Sequence, residues 1–333
     1  MTVRPKVFAT RRIPTPGIEL ISESCDVAVY EGTGALSREE LLRSVRDKDG
    51  LLCIPQDRID REVFDAAPNL KAISTYSVGY EHIDVEEATR RGIYIGYTPG
   101  VLTDATADLA FALILAAARR IAEADRYVRG GKWQAPFGSM SMLGEPVWGA
   151  TLGIVGFGRI GRAVAARAEG FRMKVLYHDS QRLAAPDEGG PGAEYRDLDD
   201  LLAASDFVSL HVPHSGQTHH LIGERELRLM KPTAMLINTS RGSVVDEAAL
   251  ARALKEGWVA GAGLDVYEQE PLDSRSPLLG MENVTLLPHI GSGTKKARRE
   301  MAELAAQNLL AALRGEAPVH WLNPDAAKRR PLG

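Results

Sequence analysis

Three short segments concentrate side chains that bind anions and move protons. They are Asn238 to Asp246, with Arg241; Gly263 to Pro271, with Asp265 and Glu270; and Leu287 to Thr294, with His289. Each begins in or follows a short apolar run, which places it at the end of a strand. In open α/β sheets, ligands collect outside the carboxyl ends of the strands. An arginine fork at such a position can hold a carboxylate through two parallel hydrogen bonds. An imidazole can donate or accept a proton near neutrality, and a carboxylate beside it fixes the tautomer and favours the protonated form. Taken singly, Arg241 would be a surface or capping arginine and Glu270 a turn residue before Pro271. Their shared position after buried strands gives them the chemical reading.

A fourth segment supplies a partner for such groups. From Thr151 to Gly161 the chain reads G-x-G-x-x-G directly after an apolar strand and into a helix, with Gly156, Gly158 and Gly161 at the fixed places. Gly156 makes the tight turn, Gly158 lets the backbone approach a pyrophosphate, and Gly161 lets helix and strand pack closely. The first helical amides, those of Arg159, Ile160 and Gly161, would face the phosphates. The next strand ends at Asp179, eighteen positions after Gly161. A carboxylate there accepts hydrogen bonds from the ribose hydroxyls and repels a 2′-phosphate. The expected cofactor is therefore NAD(H), with NADP(H) tolerated through the nearby Arg182. A nicotinamide, an arginine and an imidazole together are what reduction of a 2-oxo acid requires.

The elements that must position these groups alternate along the chain. Short apolar runs at Lys6–Ala9, Gly50–Ile54, Leu70–Ser74 and Ile93–Ile95 read as strands separated by helical patterns, such as the one from Ser37, an N-cap with Glu40 three positions on. A second array follows at Thr151–Val155, Lys174–Tyr177, Phe207–Leu210, Ala234–Asn238, Gly261–Leu264 and Val284–Leu286. Strand–helix alternation implies parallel sheets, so the expected class is α/β with two doubly wound domains. Thr98-Pro99-Gly100 marks the boundary. The helix after Thr103 is apolar on every face from Leu109 to Ala118, so it needs cover on more than one side: its own sheet, and a second subunit in preference to a partner within the chain. Gly189 to Gly192 reads as a surface loop, and the tail from Asn323 as frayed.

Composition narrows the alternatives. The chain has 333 residues, 44% apolar and 25% charged, with a net charge of -4. That length favours two domains, and the charge gives no reason to expect nucleic-acid or membrane partners. The longest apolar stretch is too short for a bilayer at about 20 residues. Cys25 and Cys53 form neither a disulfide framework nor a metal motif, and no signal-peptide pattern opens the chain, which together read as cytoplasmic. No metal is expected. His219-His220 reads as a solvated pair without a third ligand at suitable spacing.

With these segments in view, the sequence closely resembles the D-isomer-specific 2-hydroxyacid dehydrogenase family, and within it the glyoxylate and hydroxypyruvate reductases. The resemblance is carried by Lys6 to Pro14, Ser77 to Asp84, Tyr97 to Ala110, Gly261 to Val266 and Asn308 to Glu316, and spans about Lys6 to Asn323. It implies Arg241 as carboxylate binder, His289 as acid/base and Glu270 as the partner of His289. The Val78 and Gly79 amides would hold the substrate carboxylate. Thr106, Val212, Pro213, Thr239 and Gly291 match cofactor-contacting positions, joined by Arg241, Asp265 and His289. The resemblance also implies a flavodoxin-like substrate domain in two pieces, residues 1–102 and 294–323, around a Rossmann cofactor domain, 103–293, with a tail over 324–333. The implied assembly is a homodimer built on the cofactor domains. The implied substrate is a small 2-oxo acid, glyoxylate or hydroxypyruvate, reduced to the 2-hydroxy acid.

Two departures stand out. Gly100 replaces the usual aspartate of close relatives, and Trp133 to Trp148 is shorter than theirs and carries Met140 and Met142. In the family that stretch reaches toward the partner subunit. Other activities of the family, on lactate or glycerate, fit the same residues. So does a non-catalytic NAD-sensing role like that of the C-terminal binding proteins, which keep the polar triad but carry a long C-terminal extension. Phosphite oxidation is disfavoured, because the lysine it uses is replaced by Val78.

Overall fold

The computed structural model describes residues 4–136, 138–182 and 192–333, so most of the expected Gly189–Gly192 loop lies outside the described residues. The chain divides into two compact units. One takes the described residues up to Leu102 and from Thr294 onward; the other runs from Thr103 to Gly293.

The first unit holds a parallel sheet of five strands: β1 (Lys6–Ala9), β2 (Asp26–Val29), β3 (Gly50–Cys53), β4 (Ala72–Thr75) and β5 (Tyr94–Gly96), in the order β2-β1-β3-β4-β5. β3 and β4 are buried on both faces, as parallel strands covered by helices must be. One face packs Val7, Ala9 and Leu52 against Met301, Ala305 and Leu309 of the closing helix, Lys295–Leu313. The hydroxyl of Thr294 caps that helix by accepting the Ala297 amide at 3.1 Å. The helix after Ser37 forms over Arg38–Ser44, and the Ser37 hydroxyl accepts the Glu40 amide.

The tail from Asn323 is docked rather than frayed. The Asn323 side chain accepts the Ile95 amide at 3.0 Å and donates to the Ile93 carbonyl at 2.9 Å, along β5. A 3-10 turn over Pro324–Lys328 follows, with Ala326 fully buried. The absence of apolar periodicity was misleading, because one buried amide and one alanine anchor the segment.

The second unit holds seven parallel strands: β6 (Thr151–Val155), β7 (Lys174–His178), β8 (Ala193–Tyr195), β9 (Phe207–Leu210), β10 (Met235–Asn238), β11 (Gly261–Leu264) and β12 (Val284–Leu286). Their order is β12-β11-β10-β9-β6-β7-β8. The order reverses at β6, beside β9, and this switch point is where an open sheet presents a crevice.

The apolar helix forms over Thr103–Ala118. It packs on β10, β11 and β12 on one side and on the helix Arg159–Glu169 on another. Gly263 permits this approach: a Cβ there would lie 3.0 Å from that of Leu113. Arg167 clamps the two helices through Asp108, at 2.6 Å. Much of the cover expected from elsewhere thus comes from within the unit, leaving Ala112 exposed and Leu115 half-buried.

Candidate active site

The glycine loop leaves β6 with Gly156 at φ +93°, a left-handed turn in which only glycine sits without strain. A Cβ there would also press within 2.7 Å of the His211 carbonyl and 2.8 Å of Val212, so β9's exit lies against the turn. A Cβ on Gly161 would fall 2.2 Å from the Gly156 oxygen, which is why helix and strand can meet. Gly158, in contrast, opens onto free space. The helix Arg159–Glu169 starts with no side-chain cap and no acidic residue in its first turn, leaving its amides and positive dipole end for an anion.

Asp179 does more than its position suggested. One carboxylate oxygen accepts the Phe157 amide at 2.7 Å and so pins the glycine loop to the end of β7. Among the described residues the other oxygen holds only long contacts, at 3.3 Å, from the Ser180 hydroxyl and the Gln181 amide. That oxygen is the one suited to a ribose. Arg182 lies over the Tyr195 ring at 5.4 Å.

The three polar segments converge at the carboxyl ends of β10, β11 and β12. At the end of β10 the buried Asn238 braces the turn that follows. Its oxygen accepts the Ser240 amide at 3.0 Å, and its nitrogen donates to the Arg241 carbonyl at 2.9 Å. The next residue, Gly242, has no room for a side chain, since a Cβ would lie 1.8 Å from the Tyr267 carbonyl carbon. The Arg241 turn therefore rests directly on the backbone that leads to Glu270. A polar residue closing an apolar strand just before Arg241 was the sequence signal for Asn238, and it had no assigned role above.

Glu270 accepts the Tyr267 amide with one oxygen, at 3.1 Å, and meets His289 Nδ1 with the other, at 2.6 Å. Burial pushes the Glu270 carboxyl up. The bond and charge of His289, with the Arg241 charge, outweigh it and hold the carboxyl below its ordinary range. His289 itself sits at φ +54°, in the left-handed region that costs a non-glycine residue of order 1–3 kcal/mol. Asp265 holds that conformation: its carbonyl accepts the His289 amide at 2.9 Å and its carboxylate the Ile290 amide at 2.7 Å. Burial raises the Asp265 carboxyl. Its second oxygen is buried with no hydrogen bond of good geometry, close to Gly291, where a Cβ would lie 3.3 Å away.

A dinucleotide fits these residues on the structure's own terms. Among the described residues the Thr239 hydroxyl is buried and unpartnered, the glycine loop is open at Gly158, and the start of the helix Arg159–Glu169 has no side-chain cap. Thr106 is buried, near Gly291, while Val212 is half-buried and Pro213 exposed. No group of three or more metal-ligating side chains occurs among the described residues. No helix of the described residues is long and apolar enough to cross a membrane.

In the first unit, Val78 and Gly79 lie on the loop after β4. The Ser77 hydroxyl bonds the Gly79 carbonyl at 2.5 Å and meets Thr75 at 2.7 Å, and Thr75 meets His82 at 3.1 Å. This buried string fixes the loop. No hydrogen bond of the described residues takes up the Val78 or Gly79 amide.

The expected solvated pair His219-His220 is more than that. The two rings stack at 4.0 Å, and His220 Nε2 lies 2.8 Å from Glu268.

Residues 111–291 match the family described as D-isomer specific 2-hydroxyacid dehydrogenase, NAD binding domain. The chain is 56% identical over 330 residues to a glyoxylate reductase of Thermofilum pendens, covering 99% of this chain and 97% of that one. It is 53% identical over 332 residues to a glyoxylate reductase of Thermococcus litoralis, covering 99% and 100%. Among solved structures, it resembles the NADPH-dependent glyoxylate/hydroxypyruvate reductase of Sinorhizobium meliloti, in complex with NADP and malonate. That match has a TM-score of 0.85 and 33% identity, over 97% of this chain and 98% of that one.

Proposed function

The chain belongs to the D-isomer specific 2-hydroxyacid dehydrogenase family, and on that premise we propose that it reduces glyoxylate and hydroxypyruvate with NADH as the preferred cofactor. Nicotinamide-dependent reduction of 2-oxo acids is its activity; the preferred acid, the preferred cofactor and the residue roles are our reading. One observation carries that reading: Glu270 meets His289 at 2.6 Å, beside the Arg241 turn, at the strand ends that face the glycine loop's side of the sheet.

The bound nicotinamide supplies the hydride. Arg241 binds the substrate carboxylate, with the Val78 and Gly79 amides as further donors. Glu270 orients the imidazole through Nδ1, which leaves Nε2 of His289 to give its proton to the substrate oxygen as charge develops there. Asp265 keeps that imidazole aimed by holding the strained backbone of His289. The pyrophosphate is assigned to the loop from Gly156 to Gly161, the ribose to Asp179, and further contacts to Thr106, Val212, Pro213, Thr239 and Gly291. The Asp179 oxygen held only by long contacts supports NADH, because a 2′-phosphate would meet a carboxylate. Arg182 is the group that would soften that repulsion.

The assembly is assigned as a homodimer through the cofactor unit. Ile121, Val128, Trp133, Met140, Leu143 and Trp148 are all exposed and all fall within residues 121–148, a concentration of apolar surface that marks association sites. Two buried free cysteines suit a reducing compartment, and we assign the cytoplasm.

Steady-state kinetics on glyoxylate, hydroxypyruvate, pyruvate and phosphite, each with NADH and NADPH, tests the reading. Glyoxylate or hydroxypyruvate with NADH should give the highest kcat/KM. Pyruvate ahead of both would overturn the substrate assignment.

A further inference from the structure

His220 occupies a place that none of the assigned roles explains. Its backbone is left-handed, at φ +50°. Its amide donates to the Ser243 carbonyl at 2.8 Å, two residues beyond Arg241. Its imidazole Nε2 lies 2.8 Å from Glu268 Oε1, two residues before Glu270. A single residue thus grips both turns that carry the reactive groups. The grip is reinforced on each side. The Ser243 hydroxyl meets His214 Nδ1 at 2.8 Å. The Ile222 amide donates to the Val244 carbonyl at 3.0 Å. Glu268 Oε1 also accepts the Glu247 amide at 3.1 Å, tying its turn to the start of the helix Glu247–Glu256.

We propose that His220 is a positioning residue for the reaction: its amide on Ser243 and its imidazole on Glu268 hold the Arg241 turn and the Glu270 turn in one register. The need for such a device follows from Gly242, which packs bare backbone against Tyr267 and Glu268. Two backbones touching without interlocked side chains can slide, and a sliding turn carries Arg241 away from the imidazole that Glu270 orients. Misplacement of about 1 Å at a reacting centre can cost about 10²-fold in rate. The backbone conformation fits this role, since the left-handed turn is what sends the amide one way and the ring the other.

The inference rests on the reading of Arg241, Glu270 and His289 given above, and the test separates the two. His220→Asn keeps a residue that tolerates the left-handed backbone, but its side chain is too short to span to Glu268. Glu268→Ala removes the other half of the contact, and covers the case in which His220→Asn does not fold. For either variant, kcat/KM with glyoxylate should fall by about 10- to 10²-fold, through both a raised KM and a lowered kcat. NADH binding, followed by fluorescence, should not change. Glu268→Gln, which can still accept a hydrogen bond from the imidazole, should recover most of that loss. The double variant His220→Asn/Glu268→Ala should be no worse than the poorer single one, because both act through one contact. A merely structural contact would lower Tm and leave the glyoxylate KM alone, and that result overturns the proposal. So does full additivity in the double variant. His289→Ala is measured alongside: if it is inactive while His220→Asn matches the parent, the positioning role fails and the catalytic reading stands. If His289→Ala is active, the catalytic reading itself has failed.

Discussion

Glu270 Oε2 lies 2.6 Å from His289 Nδ1, while the other Glu270 oxygen is held by the Tyr267 amide. The carboxylate is thereby fixed at both ends, and the imidazole can present only Nε2 to a substrate. On the proposed reading, this pairing directs a partly exposed histidine as the proton donor.

Glu270→Gln keeps the shape and removes the charge. The imidazole then loses the charged partner at Nδ1, so kcat with glyoxylate should fall while NADH binding is unchanged. Stability should change on the acid side. The Glu270 carboxyl is pushed up by burial but brought below its ordinary value of 4.5 by His289 and Arg241. Stabilisation of that kind is full above the unfolded value and fades as pH falls through the lower folded value. The variant's Tm should therefore depend less on pH below 4.5. A kcat equal to the parent's would show that Glu270 does not act on His289.

Asp179→Ala should lower kcat/KM with NADH by roughly 10- to 100-fold, the worth of a charged hydrogen bond of about 1.5–3 kcal/mol. Because Asp179 also pins the Phe157 amide, activity with NADPH should suffer from the looser loop as well. The ratio of the two cofactors separates the effects. It should shift toward NADPH, and an unchanged ratio would leave Asp179 with the loop alone.

Arg241→Ala should raise the glyoxylate KM and lower kcat together, for a loss in kcat/KM on the order of 10²-fold or more. The carboxylate loses its fork, and the carbonyl loses its alignment. A rise in KM with kcat intact would mean that Arg241 binds substrate without orienting it.

Light scattering at micromolar concentration should give twice the mass of the chain, with an interface above about 1,000 Å². A monomer would contradict the assignment of residues 121–148 to subunit contact. The helix Thr103–Ala118 does not by itself demand a partner, since the helix Arg159–Glu169 and three strands already cover most of it.

The sheet cores were legible because parallel strands buried on both faces leave continuous apolar runs, as in Gly50–Cys53 and Met235–Asn238. One edge strand of each sheet was not: Asp26–Val29 and Ala193–Tyr195 are short and only partly buried, so neither stands out in the sequence as a strand, whereas the opposite edges, Tyr94–Gly96 and Val284–Leu286, did. The chemistry-bearing residues were legible as types and spacings, and the glycine loop most of all. What supports them was hidden, because support is tertiary. Nothing in the neighbourhood of Gly242 announces that Tyr267 lies against it, and nothing around His220 announces Glu268. Asn323 shows the same limit, since its value lies in the outer edge of β5, far away in sequence, where it takes up the Ile95 amide.

The most direct test is the rate of glyoxylate reduction by His289→Ala under saturating NADH. With His289 as the proton donor, kcat should fall by roughly 10²–10⁴-fold, while the dissociation constant for NADH stays close to that of the parent. A kcat near the parent value would mean that the proton comes from another group, and the assignment of Arg241, Glu270 and His289 as a catalytic set would fall with it.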